Sequence, residues 1–242
     1  CGTPLTSRYC ASPSLSSFIA ASDREYLKDL LSILKDMKLD WMSQCDIRIG
    51  REDDLLKDLA ESGCTTLSFG LESISRESLV AMNKGWARPE DYTELIKNIK
   101  RHGIDVSTEM VVGGEGDTLE SIRKTKDFIE DNRISVPRFY ILTPFPGTSF
   151  FRDMETAGRL ENRDIYSYDG TAAVHTPANM TAQELTDSYW ELYESLFTIR
   201  SIFTRNIMKR EFLRDPFRYL FYGMVNFYYR HQIRNRITPN IF

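Results

Sequence analysis

Between Trp41 and Ala157 the chain switches repeatedly between short β-prone runs and helical periodicity, and no other feature of the sequence limits the fold as much. The spacing predicts strand over Trp41 to Ile49, helix over Asp53 to Ser62, strand over Thr65 to Glu72 and helix over Pro89 to His102. It then predicts strand over Ile104 to Val112, helix over Thr118 to Asn132, strand over Val136 to Leu142 and helix over Ser149 to Ala157, closed by Gly158. Pro89 suits a first helical turn, where an N–H has no intrahelical partner, and Thr148 can cap the last helix. Four strand and helix units in succession call for parallel strands joined by right-handed crossovers. Four units are too few to close an eight-fold barrel, so an α/β fold with a partial or open β/α barrel is expected over residues 18–160.

The flanks read differently. Residues 1–17 look irregular, and Ser22 or Asp23 can cap a helix whose apolar positions Tyr26, Leu27, Leu30, Leu31 and Leu34 carry it to about Met37. Residues 161–242 read as a mostly helical extension. Thr181 and Glu184 have capping-box spacing, and Leu185, Tyr189, Leu192, Leu196 and Ile199 mark one helix face. Pro216 opens a last segment, Phe217 to Tyr229, dense in aromatic residues.

Composition narrows the class. The 242 residues are 41% hydrophobic and 27% charged, which excludes disorder, and no run reaches the roughly 18 apolar residues of a membrane span. The first residue is Cys1 and no basic start precedes an apolar run, so the chain is expected to be a fragment or a processed piece. The four cysteines lack the spacing of a secreted disulfide framework, so a reducing cytoplasm is expected. Net charge is −4, but residues 200–242 carry +7 and leave −11 for the rest. A basic tail of this kind can meet a membrane surface, a nucleic acid or the acidic body of the same protein.

The chemistry-bearing residues sit where the strands are expected to stop. A nearly neutral strand ends on Gly70, Leu71, Glu72, Ser73, presenting one carboxylate at the end of the strand where parallel α/β folds build sites. Alternation along the next strand groups Ser107, Glu109, Val111 and Gly113 on one face. If that face is the barrel mouth, Glu72 and Glu109 converge from adjacent strands and, as acceptors only, suit ribose hydroxyls or a ligand ammonium. Glycines in the turn Gly113 to Thr118 permit close backbone approach, while Glu115 and Asp117 oppose a phosphate loop and can serve as an ordinary helix cap. Thr143, Pro144, Phe145, Pro146, Gly147, Thr148 forms a stiff connection at the same rim. Cys45 and Cys64 read as small buried hydrophobes; Cys1 and Cys10 alone are a weak metal signal. His102 and His175 have no metal partner at useful spacing, and no Ser-His-Asp triad, Walker loop or zinc pattern is present.

Taken in order, Phe69 to Ser73, Met82 to Gly85, Gly103 and Ile104, Gly113 to Thr118, Thr143 to Thr148, Gly158 and Arg159, Tyr168 to Gly170, His175, Met180 and Thr181 resemble the radical S-adenosylmethionine enzymes, and within them the cobalamin-binding, hopanoid-methylase-like subgroup. The resemblance implies a six-stranded partial barrel in which a [4Fe-4S] cluster reduces S-adenosylmethionine to modify an organic substrate, with methylation among the reactions. It implies that Glu72, with Ser73, and Glu109 contact the ribose or nearby groups, that Gly113 lets the strand approach the adenosine, and that Thr143 and Pro144 lie near the adenine. A small or lipid-like substrate is expected, with the tail at a membrane surface as one option and no nucleic acid partner. The family's cysteine triplet, with three and then two residues between its members, is not in this sequence, and neither is the subgroup's cobalamin domain. The expected reading is therefore a fragment or degenerate member, with a non-catalytic adenosyl-binding module as the alternative.

Overall fold

A computed structural model describes residues 14–16 and 24–239; the Ser22 or Asp23 cap, Cys1 and Cys10 lie outside the described residues. The chain divides into two compact units, Cys1–Leu71 with Glu90–Thr108, and Glu72–Pro89 with Glu109–Phe242. Five strands lie in sequence order in one sheet: β1 (Ser14–Ser16), β2 (Trp41–Cys45), β3 (Cys64–Glu72), β4 (Asp105–Val112) and β5 (Val136–Ile141). β1 pairs with β2, and β2 with β3, in parallel.

Two expectations are corrected. The start is not wholly irregular, since Ser14 to Ser16 pair with Met42 to Gln44 as β1. The strand expected to reach Ile49 stops at Cys45, because the Asp46 carboxylate accepts the Arg48 amide at 2.8 Å and opens a 3-10 turn over Ile47–Arg51. A side chain that offers its own acceptor to the next amides turns the backbone out of the ladder. The family resemblance implies six strands; the described residues form five.

In the first unit, α1 (Arg24–Met37), α2 (Asp53–Glu61) and α4 (Pro89–Arg101) each bury one apolar stripe. Leu27, Leu31 and Leu34 face inward from α1, Leu55, Leu56 and Leu59 from α2, and Tyr92, Leu95, Ile96 and Ile99 from α4. Each such side chain contributes about 1.5–3 kcal/mol on burial. On β3, Leu67, Phe69 and Leu71 are buried while Ser68 and Glu72 are half-buried, so the strand shows one face to the apolar core and keeps a polar face.

The second unit adds α3 (Arg76–Ala81), α5 (Leu119–Asp131), α6 (Ser149–Thr156), α7 (Ala182–Leu196), α8 (Ile199–Asn206) and α9 (Pro216–Arg234). The Thr181 and Glu184 capping box forms as its spacing predicts, and Thr148 caps α6. No further strand pairs with β5 among the described residues, and α7 covers that edge: Tyr193 takes the Phe139 amide at 2.8 Å and gives its hydroxyl to the Phe139 carbonyl at 2.9 Å. The beginning of β5 is held by the fully buried Arg205, which donates to the carbonyls of Ile134 and Leu196 and to Asn226 Oδ1. Asn226 returns a bond to the Ser135 carbonyl at 2.9 Å. Buried main-chain carbonyls without a ladder partner must find another donor, and these two side chains supply it.

Candidate functional site

The polar face of the sheet is set by one contact, the 3.5 Å hydrogen bond from the Ser68 hydroxyl to that of Ser107. Alternation then carries Gly70 and Glu72 along β3, and Glu109 and Val111 along β4, on the same side. Burial follows this division: Val106, Thr108, Met110 and Val112 are buried, whereas Ser107, Glu109 and Val111 are half-buried. Glu109 stands one pleat beyond the serine pair and Glu72 two, so the acids are staggered.

Glu72 ends β3 at φ 61°, in the left-handed region, where a side chain with a Cβ is strained by about 1–2 kcal/mol. Its carboxylate is bound by Lys84, from the connection after α3. Glu109 is bound by Arg138 of β5. Burial disfavours the charge on Arg138, but Tyr140 and Glu109 outweigh it and hold the guanidinium above its ordinary range. Each acid thus has its own cation, and the two ion pairs share no residue. Arg138 was legible in principle, since Val136, Arg138 and Tyr140 alternate on β5 as Glu109 does on β4. Lys84 was legible only as part of a motif, because nothing in its spacing from Glu72 signals a partner.

Ser73 is buried and its hydroxyl accepts the Ser75 amide at 3.0 Å, which turns the chain into α3. Gly113 has φ 90°, and a Cβ there would lie 2.4 Å from Leu185 Cδ2, so the space beside it is filled by α7. The expectation that Asp117 is an ordinary helix cap is corrected: Thr118 caps α5, and Asp117 turns inward. Its carboxylate accepts the amides of Gly113 at 2.9 Å and Gly114 at 3.0 Å, and the Ser78 hydroxyl. Burial pushes the Asp117 carboxyl up, against these hydrogen bonds, which favour the charged form. A phosphate would need the amides that Asp117 already holds. Glu115 meets Arg159 through two bonds of 2.8 Å.

His175 is fully buried, its ring edge-on to Phe150 at 5.4 Å, and neither nitrogen makes a hydrogen bond of normal geometry among the described residues. Burial pushes its pKa down and so favours the neutral imidazole. Sequence spacing did not single it out, because only its surroundings make it unusual.

Beyond the end of β5 lies a cavity of about 920 Å³ lined by Val111, Tyr140, Thr143, Phe145, Tyr168 and Arg236, among others. Thr143 turns its hydroxyl to the Ile141 carbonyl at 2.9 Å, and Pro144 is buried beside it in sequence. Of the residues expected to form a site, this cavity gathers Thr143 alone; Glu72, Glu109 and Gly113 do not line it.

The described residues do not fit an iron–sulfur cluster. Their cysteines are Cys64, buried at the start of β3, and Cys45, whose thiol burial pushes up to about 12. A thiolate ligand needs the opposite shift. No group of three His, Cys, Asp or Glu among the described residues can hold a metal ion.

Comparison with known proteins gives the same architecture. The Radical SAM superfamily profile matches residues 18–129. A bacteriochlorophyllide d C-12(1)-methyltransferase of Chlorobaculum tepidum is 28% identical over 181 residues, covering 75% of this chain and 39% of that protein. A hopanoid C-2 methylase of Rhodopseudomonas palustris is 25% identical over 121 residues, covering 50% of this chain and 23% of that protein. The chain therefore spans less than two-fifths of the length of these relatives. Coproporphyrinogen III oxidase of Escherichia coli, described as a radical SAM enzyme, superposes with a TM-score of 0.51 at 15% identity, covering 72% of this chain and 36% of that one, and this likeness establishes the fold as that type of partial β/α barrel.

Proposed function

We propose that the chain is a member of the radical S-adenosylmethionine superfamily, whose profile matches residues 18–129, that its strand ends bind S-adenosylmethionine and that the neighbouring cavity receives a large, mostly apolar organic substrate. The superfamily's chemistry is reductive cleavage of S-adenosylmethionine by a [4Fe-4S] cluster, and the described residues supply no ligand set for that cluster. Cobalamin is the further cofactor of the subgroup the sequence resembles.

The observation that carries the reading is Glu72. A carboxylate held at the end of β3 in a strained backbone state, half-buried and fixed by Lys84, is a costly arrangement that packing does not require. An ionised carboxylate has about four acceptor positions, so the ion pair with Lys84 leaves room for a ribose hydroxyl or the methionyl ammonium. Glu109, oriented by Arg138, offers the same chemistry one pleat back on the same face. Asp117 fixes the amides of Gly113 and Gly114 and so keeps the turn after β4 in place. Ser73 sets the direction of the chain leaving Glu72, and Thr143 and Pro144 are the rim nearest the adenine in this reading.

The substrate class rests on the cavity and the relatives. Tyr140, Phe145 and Tyr168 give it aromatic walls. The relatives are named for bacteriochlorophyllide d and a hopanoid, both large and chiefly apolar molecules. Methylation of such a molecule is the proposed reaction of the whole protein, and the basic, aromatic tail fits a peripheral membrane location.

Isothermal calorimetry with S-adenosylmethionine tests the site. Glu72→Gln and Glu109→Gln should each weaken binding about tenfold, the worth of one hydrogen bond to a charged group. Binding equal to wild type in both variants would sink the proposed site. A second reading, a binding module without catalysis, is favoured by the missing cluster ligands among the described residues. Anaerobic reconstitution with iron and sulfide separates the two: 5′-deoxyadenosine formation supports an enzyme, and adenosyl binding without it supports the module.

A further inference from the structure

Helix α9 is apolar on both sides. Its inner face, Tyr219, Tyr222, Gly223, Asn226, Tyr229 and Ile233, is buried in the second unit. Its outer face repeats at helical spacing as Phe217, Leu220, Phe221, Met224, Phe227 and Tyr228, each between 44% and 69% exposed. Water-facing helix surfaces are ordinarily polar, and a helix apolar all round has something on both sides. Six large apolar side chains on one exposed face form a contiguous patch of the kind that marks an interaction surface. Ile199 and Phe203, one turn apart on α8, and Met208 and Leu213 in the connection to α9, are exposed as well.

The charges around this face identify its partner. Residues 200–242 contain nine Lys or Arg and only Glu211 and Asp215 as acids. Several of these cations have internal roles: Arg205 and Lys209 are buried, Arg218 pairs with Asp215 and Arg236 with Glu194. Arg210 and Arg214, just before α9, and Arg234, at its end, are exposed and form no ion pair among the described residues. The apolar stripe is thus bracketed by free cations at both ends.

We infer that the outer face of α9 is an interfacial anchor that lies in the surface of an anionic lipid bilayer. A second copy of the chain would set cations against cations at the ends of the helix pair, in either helix direction. A bilayer instead offers an apolar layer for Phe217, Leu220, Phe221, Met224 and Phe227 beneath a layer of anionic headgroups for Arg210, Arg214 and Arg234. From Phe217 to Tyr228 the stripe is about 17 Å long at the helical rise, well short of a hydrocarbon core of about 30 Å, so the helix lies in the plane. No helix among the described residues is long and apolar enough to cross a membrane. Tyr228, with an apolar ring and a polar tip, is the residue type that settles at headgroup depth.

This inference stands on the tail alone and does not require the adenosyl-binding reading. Flotation of the 242-residue chain with vesicles tests it, using phosphatidylcholine alone and phosphatidylcholine with 30% phosphatidylglycerol. The chain should float with the anionic vesicles and less with the neutral ones. Arg210→Gln, Arg214→Gln and Arg234→Gln should each weaken partition about fivefold, the worth of one basic residue at an anionic surface. Met224→Ser with Phe227→Ser should abolish flotation while shifting the melting curve little, since Met224 is 63% and Phe227 47% exposed. Failure to float with anionic vesicles would overturn the proposal. So would a dimer in light scattering that Met224→Asp dissociates, which would assign the face to a second copy. Calorimetry with S-adenosylmethionine reads the other site independently.

Discussion

Tyr193 sets its hydroxyl between the amide and the carbonyl of Phe139, taking one at 2.8 Å and giving to the other at 2.9 Å, so a helix side chain does for the β5 edge what a neighbouring strand would do. An open edge of this kind invites pairing with another chain, and covering it is one of the ways proteins avoid that. The Tyr193 hydroxyl is fully buried, and burial holds its pKa well above the ordinary phenol value, which favours the protonated, donating form.

Tyr193→Phe should therefore cost about 2 kcal/mol, because it strands the buried Phe139 amide and leaves the Phe139 carbonyl only the longer 3.5 Å bond from the Tyr189 hydroxyl, while the ring packing stays intact. Urea unfolding followed by circular dichroism measures the difference. A change below ~0.5 kcal/mol would mean that water or another side chain serves Phe139 instead.

Arg205→Met tests the buried cation. Burial lowers its pKa to about 10, yet it remains charged at neutral pH and serves three separate chain segments. Methionine fills comparable volume without donors, leaving the carbonyls of Ile134 and Leu196 unpaired, and should destabilise by about 3 kcal/mol. Equal stability of the variant in guanidinium unfolding would show that the network is dispensable.

His175 makes stability fall in acid. Its pKa is lowered in the folded chain by burial, while the unfolded side chain titrates near ~6.5. Above that pH both states are neutral and the residue is silent. Below it the unfolded chain binds a proton that the folded chain resists, so stability drops by up to about 1.4 kcal/mol per pH unit until the folded pKa is reached. The melting temperature should decline from pH 7 to pH 5, and His175→Leu should flatten that decline. An unchanged slope in the variant would place the acid sensitivity elsewhere.

Gly116→Ala and Gly103→Ala separate close packing from backbone strain. At Gly116 a Cβ would lie 2.4 Å from the Ser78 amide nitrogen and 2.5 Å from the Glu77 carbonyl carbon, so the turn must part from the start of α3; a loss of about 2–3 kcal/mol is expected. At Gly103 nothing lies within 4 Å of the added atom and only the φ of 83° opposes it, which costs about 1 kcal/mol. Thermal melts of the two variants should rank in that order, and the reverse ranking would refute the packing argument.

How much of this was legible in the sequence depended on how local each interaction is. The helices α2, α4 and α5 and the strands β3, β4 and β5 follow from periodicities that repeat within a few residues. The caps at Thr148 and Thr181 follow from side chains that reach only to the next turn. The early stop of β2 was missed although its cause is equally local, because Asp46 lies inside an otherwise β-prone run. Alternation puts Glu109 on one face of β4 and Glu72 at the end of β3, but nothing in the sequence names Arg138 and Lys84 as their partners. That knowledge depends on where a loop returns and which strand lies next in the sheet. Asp117 looked like a capping residue because Thr118 stands next to it; only the fold shows which of the two points inward.

The Arg205 and Asn226 network has a consequence for how the second unit opens. It joins residues 134 and 135, the end of α7, α8 and the middle of α9, which lie up to 92 positions apart in the chain. None of these segments can swing out without taking a hydrogen-bond partner from a fully buried guanidinium. Their amides should accordingly trade hydrogen for deuterium at one common rate, as a single cooperative block, while the exposed turns around Ile165 and Arg210 exchange on their own.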